Sequence, residues 1–182
     1  TNLAGLYRSV GDFARAEPLF ARALAIVEKT LGPDHQETAN ALMNLAGIFK
    51  SEGQYAKAEP LYIRALAIWE KTLGRDHPYT AFSMNNLAGL YIVQGNFSKA
   101  EPLAVRALAI REKALGPEHS DTANSLNSLA MLYVDQGQYD RAEPLFVRAL
   151  AIFEKALGPE HPRTANPLDN LASLYHSLRQ YA

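Results

Sequence analysis

Residues 51–81 read SEGQYAKAEPLYIRALAIWEKTLGRDHPYTA. The stretch returns as VQGNFSKAEPLAVRALAIREKALGPEHSDTA over 93–123 and as DQGQYDRAEPLFVRALAIFEKALGPEHPRTA over 135–165. Gly11, Gly53, Gly95 and Gly137 keep the same spacing of 42 residues. Self-similarity at a fixed period of this size marks a repeat array, in which one copy cannot bury its own apolar face and neighbours must stack.

Within one copy the spacing predicts two helices. Leu42, Leu45, Ala46 and Phe49 form an amphipathic stripe, and a second stripe runs through Tyr55, Ala58, Leu61, Tyr62, Ala65, Leu66, Ile68 and Leu73. Gly53 ends the first helix, Gly74 closes the second, and His77-Pro78 opens the next, with proline suited to the first helical position. Helix A segments are expected near 2–10, 36–52, 78–94, 120–136 and 162–178, and helix B segments near 12–31, 54–73, 96–115 and 138–157. Ala58, Ala65, Ala100, Ala107, Ala142 and Ala149 recur where the paired helices must approach closely. Pro18, Pro60, Pro102 and Pro144 each remove one hydrogen bond inside helix B, which reads as a shape feature.

The chain has 182 residues, 48% of them hydrophobic, with a formal net charge of −1. That balance argues against a nucleic-acid backbone as ligand, which needs a concentrated basic footprint, and against a polybasic membrane patch. No run approaches the ~18 apolar residues of a spanning helix. The chain has no cysteine, so disulfides and thiolate zinc sites are excluded, and a cytoplasmic address is the default. His35, His77, His119 and His161 fall one per copy and form a spaced row instead of converging on a metal, so helix entry is their expected role. No nucleophile elbow, phosphate loop or paired-carboxylate pattern is present, so no catalytic residue, metal or cofactor is assigned. Arg22, Arg64, Arg106 and Arg148 read as solvated or inter-repeat. Trp69 shares its column with Val27, Arg111 and Phe153, and such variety predicts a partly exposed position.

The string Asn44-Leu45-Ala46-x-x-Phe49-x-x-x-Gly53-x-Tyr55-x-x-Ala58-x-x-x-Tyr62-x-x-Ala65-Leu66 resembles the tetratricopeptide repeat, whose usual unit is about 34 residues. The longer unit here, with NLAxLY, AEPLYxRALAIxEKxLG and HPxTA, is similar to the repeats of kinesin light chains and their bacterial relatives. The resemblance implies an all-α fold, an α-solenoid of antiparallel helix pairs. One array spans 1–182, with a part-repeat at 1–34, repeats at 35–76, 77–118 and 119–160, and a part-repeat at 161–182. The chain begins inside a helix A and ends where a helix B would start, which reads as a slice of a longer protein. A complete short chain that associates end to end through uncapped helices is the alternative.

In this family helix A lines the concave side. By that resemblance Asn44 and its equivalents Asn2, Asn86, Ser128 and Asn170 face the groove, with Asn40, Asn124 and Asn166 one turn earlier and Asn85 and Asn127 beside them. Phe82 replaces asparagine in its copy. Amides carry both donors and acceptors and can hold peptide backbone, although they can equally bond between neighbouring helices. Arg8, Lys50, Ile92, Val134 and His176 share one variable column, and Gly5, Gly47, Gly89, Met131 and Ser173 share another. Phe82, Ile92, Met131 and Val134 would form an apolar zone. Grooves of this family that hold acidic peptides use basic residues, and few follow Lys50 here. The function expected is a non-enzymatic scaffold for a peptide segment or partner helix. The alternative is a spacer or sensor arm of a larger signalling protein that contacts its own other domains.

Overall fold

The computed structural model describes residues 3–180, and side chains through Leu178; the expectations for Asn2, Tyr181 and Ala182 lie outside the described residues. Among the described residues there are nine α-helices and no strand. Helix A segments are α1 (Leu3–Ser9), α3 (Gln36–Ser51), α5 (Pro78–Val93), α7 (Ser120–Asp135) and α9 (Pro162–Gln180). Helix B segments are α2 (Phe13–Leu31), α4 (Tyr55–Thr72), α6 (Phe97–Leu115) and α8 (Tyr139–Leu157). Most expected boundaries hold to within one or two residues, because glycine and proline punctuate each copy at fixed places. Gly53 and Gly137 turn the chain at φ of 74° and 71°, in left-handed backbone that disfavours other residues.

The helices gather into two compact units, Thr1–Leu90 and Tyr91–Ala182. In the first, α2 packs against α1 and α3, and α3 against α4; in the second, α7 packs against α6, α8 and α9, and α8 against α9. The recurring alanines Ala58, Ala65, Ala100, Ala107, Ala142 and Ala149 are fully buried, as a close helix approach requires. Leu42 and Ile48 in the first unit, and Leu126 and Leu132 in the second, are fully enclosed, each stabilising by about 1.5–3 kcal/mol.

The entries of α3, α5, α7 and α9 are each held by two side chains. Nδ1 of His35, His77, His119 and His161 accepts from the backbone N–H two residues on, at 3.1–3.2 Å. The histidine row therefore caps helices, satisfying donors that have no partner inside the helix. Thr38, Thr80, Thr122 and Thr164 are buried and donate Oγ1 to the carbonyls of Gly32, Gly74, Gly116 and Gly158 at 2.7–2.9 Å. These bonds tie the end of each helix B to the start of the next helix A.

Arg64 and Arg148 are inter-repeat, as one of the two expected readings had it. Arg64 donates to Glu28 and to the Pro33 carbonyl, and Arg148 does the same to Glu112 and Pro117. Lys71 with Asp34, and Lys155 with Glu118, add more exposed links of the kind that contribute little stability.

Candidate functional site

The accessible side of helix A is a single stripe. On α3 it carries Asn40, Asn44, Gly47 and Lys50, all half-buried, while Leu42, Ile48 and Phe49 on the other side are enclosed. On α7 it carries Asn124, Asn127, Met131 and Val134 opposite buried Leu126, Leu129 and Tyr133. On α5 Asn85, Asn86 and Ile92 are half-buried, and Phe82 is exposed.

Most of these amides already have partners. The Arg8 guanidinium donates to Asn44 Oδ1 at 3.3 Å, linking α1 to α3. Asn170 Nδ2 donates to Asn127 Oδ1 at 2.9 Å, linking α9 to α7. Asn86 donates to its own helix at the Phe82 carbonyl, and Asn124 to Asp121 Oδ1. Three of the expected amides, Asn44, Asn127 and Asn170, thus bond between neighbouring helices, and two, Asn86 and Asn124, within their own. Each keeps half of its hydrogen-bonding capacity, because every bond uses one end of the amide. Ser128 donates to the Asn124 carbonyl, and Asn166 and Ser173 are exposed.

Lys50 differs from its neighbours. It is half-buried, burial holds its ammonium below the ordinary lysine range, and among the described residues no carboxylate pairs with it. Its Nζ lies across Gly89, where an added Cβ would come within 2.9 Å of it. One turn back, an added Cβ at Gly47 would meet the Tyr62 hydroxyl at 3.8 Å. Burial pushes that hydroxyl up to about 12, with the positive charge of Arg8 opposing the shift. Arg8, Asn44, Gly47, Lys50 and Gly89 thus form a small polar, cationic face in which the lysine and tyrosine side chains lie against the two glycines.

Three members of the column of Trp69 depart from the expectation of partial exposure, and Val27 alone is half-exposed. Trp69, Arg111 and Phe153 are at most 5% exposed. Each is matched by the residue ten positions later on the next helix A. Trp69 stacks on Tyr79 at 5.7 Å between ring centroids; Arg111 donates to the Asp121 carbonyl and to Ser125 Oγ, both at 2.9 Å; Arg163 lies 5.3 Å over the Phe153 ring. The variety in this column is compensated by variety in its partner column, and does not signal solvent.

Among the described residues there is no cluster of histidines and carboxylates that could hold a metal, and no helix long and apolar enough to cross a membrane. The tetratricopeptide repeat model matches residues 1–58, 37–113, 83–155 and 121–182. The chain belongs to the tetratricopeptide repeat family. The crystal structure of a Podosopora anserina putative kinesin light chain with nearly identical TPR-like repeats is similar at 32% identity and a TM-score of 0.79. That likeness covers 98% of this chain and 84% of that one. BtubC (BKLC) from P. vanneervenii is similar at 28% identity and a TM-score of 0.81, over 97% of this chain and 70% of that one. Rap protein complexed with competence and sporulation factor shares the fold, with a TM-score of 0.82 at 19% identity over 48% of its own length. No curated protein sequence matches the chain significantly. Repeats of this family are, in general, non-enzymatic scaffolds for protein interaction, and the solenoid of paired helices seen here is theirs.

Proposed function

We propose that the tetratricopeptide array holds an extended peptide segment, or a partner helix, against the accessible stripes of its A helices, with an acidic side chain of the partner at Lys50. The observation that carries this reading is the half-buried, carboxylate-free ammonium of Lys50, which lies across Gly89 on the accessible stripe of the A helices. A desolvated cation is costly until an opposite charge joins it, so a carboxylate from outside gains more there than at an ordinary surface lysine. The remaining capacity of Asn44, Asn86, Asn127 and Asn170 suits peptide backbone, and exposed Phe82 and Met131 offer apolar contacts. The location of such a scaffold is the cytoplasm in this reading.

Fluorescence anisotropy against a panel of labelled acidic and neutral peptides tests it. Acidic peptides should bind more tightly, Lys50→Met should remove the preference, and Asn86→Ala with Asn127→Ala should weaken binding without a large fall in thermal stability. Equal binding of acidic and neutral peptides would refute the role of Lys50. The second reading, a spacer or sensor arm that engages other domains of a larger protein, draws on the exposed apolar residues of the terminal helices, such as Leu6 and Leu168. Those same helices are where end-to-end association would occur.

A further inference from the structure

Arg8 and Lys50 stand one 42-residue period apart, at the same place on α1 and α3 of the first unit. Each reaches from its own A helix onto the next. The Arg8 guanidinium ends at Asn44 on α3, 3.3 Å from Oδ1, and the Lys50 ammonium ends over Gly89 on α5. Among the described residues neither cation has a carboxylate partner. Two like charges are therefore held about one helix spacing apart, roughly 8–10 Å for packed helices.

What satisfies both charges depends on how a bound chain spaces its side chains. In a β-strand successive side chains alternate between faces, so residues sharing a face lie about 6.8 or 13.6 Å apart and miss the pair. In an α-helix one face recurs after seven residues, about 10.5 Å on, but the backbone groups are already bonded to one another. A polyproline II chain turns once in three residues, so its first and fourth side chains share a face about 9.3 Å apart, the spacing of the cations. Its backbone makes no internal hydrogen bonds and must find partners outside. Two amides beside the cations supply them. Asn44, whose Oδ1 accepts from Arg8, keeps Nδ2 as a donor, and Asn86, whose Nδ2 is bonded to the Phe82 carbonyl, keeps Oδ1 as an acceptor.

We propose that Arg8 and Lys50 form a register that selects a polyproline II segment with acidic side chains at its first and fourth positions. The inference deepens the peptide-scaffold reading and rests on it. One acid pairs with Arg8, the other with Lys50, and the two amides hold the backbone. Gly89 sets the second position. A Cβ there would lie 2.9 Å from the Lys50 Nζ, the flexible end of a side chain, so alanine displaces the ammonium and leaves the helix intact.

Fluorescence anisotropy on the chain tests this. The labelled peptides share one proline-rich composition and carry two glutamates two, three or four positions apart, a single glutamate, or none. An alanine-rich helical peptide with glutamates seven positions apart completes the set. The three-apart peptide should bind about five-fold more tightly than the other pairs, the upper range for a partly exposed ion pair. Arg8→Met and Lys50→Met should each remove that advantage and leave the three-apart peptide equal to the single-glutamate one. Gly89→Ala should also remove it without lowering the melting temperature, because alanine favours helix over glycine. A role of Gly89 in packing alone would not separate those two readouts. Glutamate pairs that bind more tightly than neutral peptide whatever their spacing would overturn the register and leave the acidic preference of the scaffold standing. Tightest binding by the helical peptide would overturn the register as well. No gain from any glutamate would overturn both readings.

Discussion

Replacing Arg111 separates the worth of its charge from the worth of its volume. The side chain is 5% exposed, and its Nη1 donates to the Asp121 carbonyl and Ser125 Oγ. Two hydrogen bonds from a charged donor contribute about 1.5–3 kcal/mol each. Burying the guanidinium costs several kcal/mol in return, and burial holds its pKa below the ordinary arginine value. These terms nearly cancel, so Arg111→Met, which keeps most of the length, should change stability by only about 1 kcal/mol. Arg111→Ala leaves a hole in the same place and should cost about 2–4 kcal/mol. The double change Arg111→Trp with Asp121→Tyr installs the pair that Trp69 and Tyr79 form in the first unit. It should be more stable than the sum of its single changes by about 0.5–1.5 kcal/mol, the worth of an aromatic pair. Urea denaturation of the five variants, the two single changes of the pair included, measures all of this from the transition midpoints. Arg111→Met that costs more than Arg111→Ala, or no coupling between positions 111 and 121, would refute the account.

Tyr62 gives an alkaline signature. Its folded pKa of about 12 exceeds the ordinary value of 10.0, so its contribution is fully present below pH 10.0 and is lost as pH rises toward 12. Stability should fall by up to about 2 kcal/mol over that window, and Tyr62→Phe should flatten the fall in a pH series of denaturation curves. Lys50 acts with the opposite sign. Its lowered pKa makes its charge a burden that is relieved as pH rises toward 10.5, so the Lys50→Met variant should show the steeper alkaline decline. Thr122→Val removes the bond to the Gly116 carbonyl and should lower stability by about 1–2 kcal/mol, with hydrogen exchange rising first at the start of α7.

Helix positions were legible in the sequence because periodicity and punctuation are local properties. Gly53 needs a left-handed backbone, Pro78 suits a first turn, and Ala65 recurs where two helices touch, so each could be read without knowing the path of the chain. The role of Trp69 was not legible from its own column. Its partner stands ten residues later, beyond a loop whose direction no apolar period encodes. Reading positions 69, 111 and 153 together with 79, 121 and 163 would have shown paired changes: indole with phenol, guanidinium with aspartate, benzyl with guanidinium. The site divides in the same way. The amide stripe on the A helices was visible as a column. That Asn170 bonds to Asn127 was not, because those two are 43 residues apart and belong to adjacent columns. The threonine ties, and the cations of Arg15, Lys57, Lys99 and Arg141 over the rings of Tyr7, Phe49, Tyr91 and Tyr133, recur in step with the period, and reading the recurring polar positions as pairs could have found them.

The matched pairs across the loops make the near-identical units non-interchangeable. A duplication or loss of 42 residues with its break inside a helix keeps Trp69 with Tyr79 and Arg111 with Asp121. The same event with its break in the loop between Gly74 and His77 would set an indole against an aspartate. Recombination between such similar coding segments is thus filtered by where the crossover falls, and anyone lengthening this array by cloning should cut within a helix rather than at the tempting glycine.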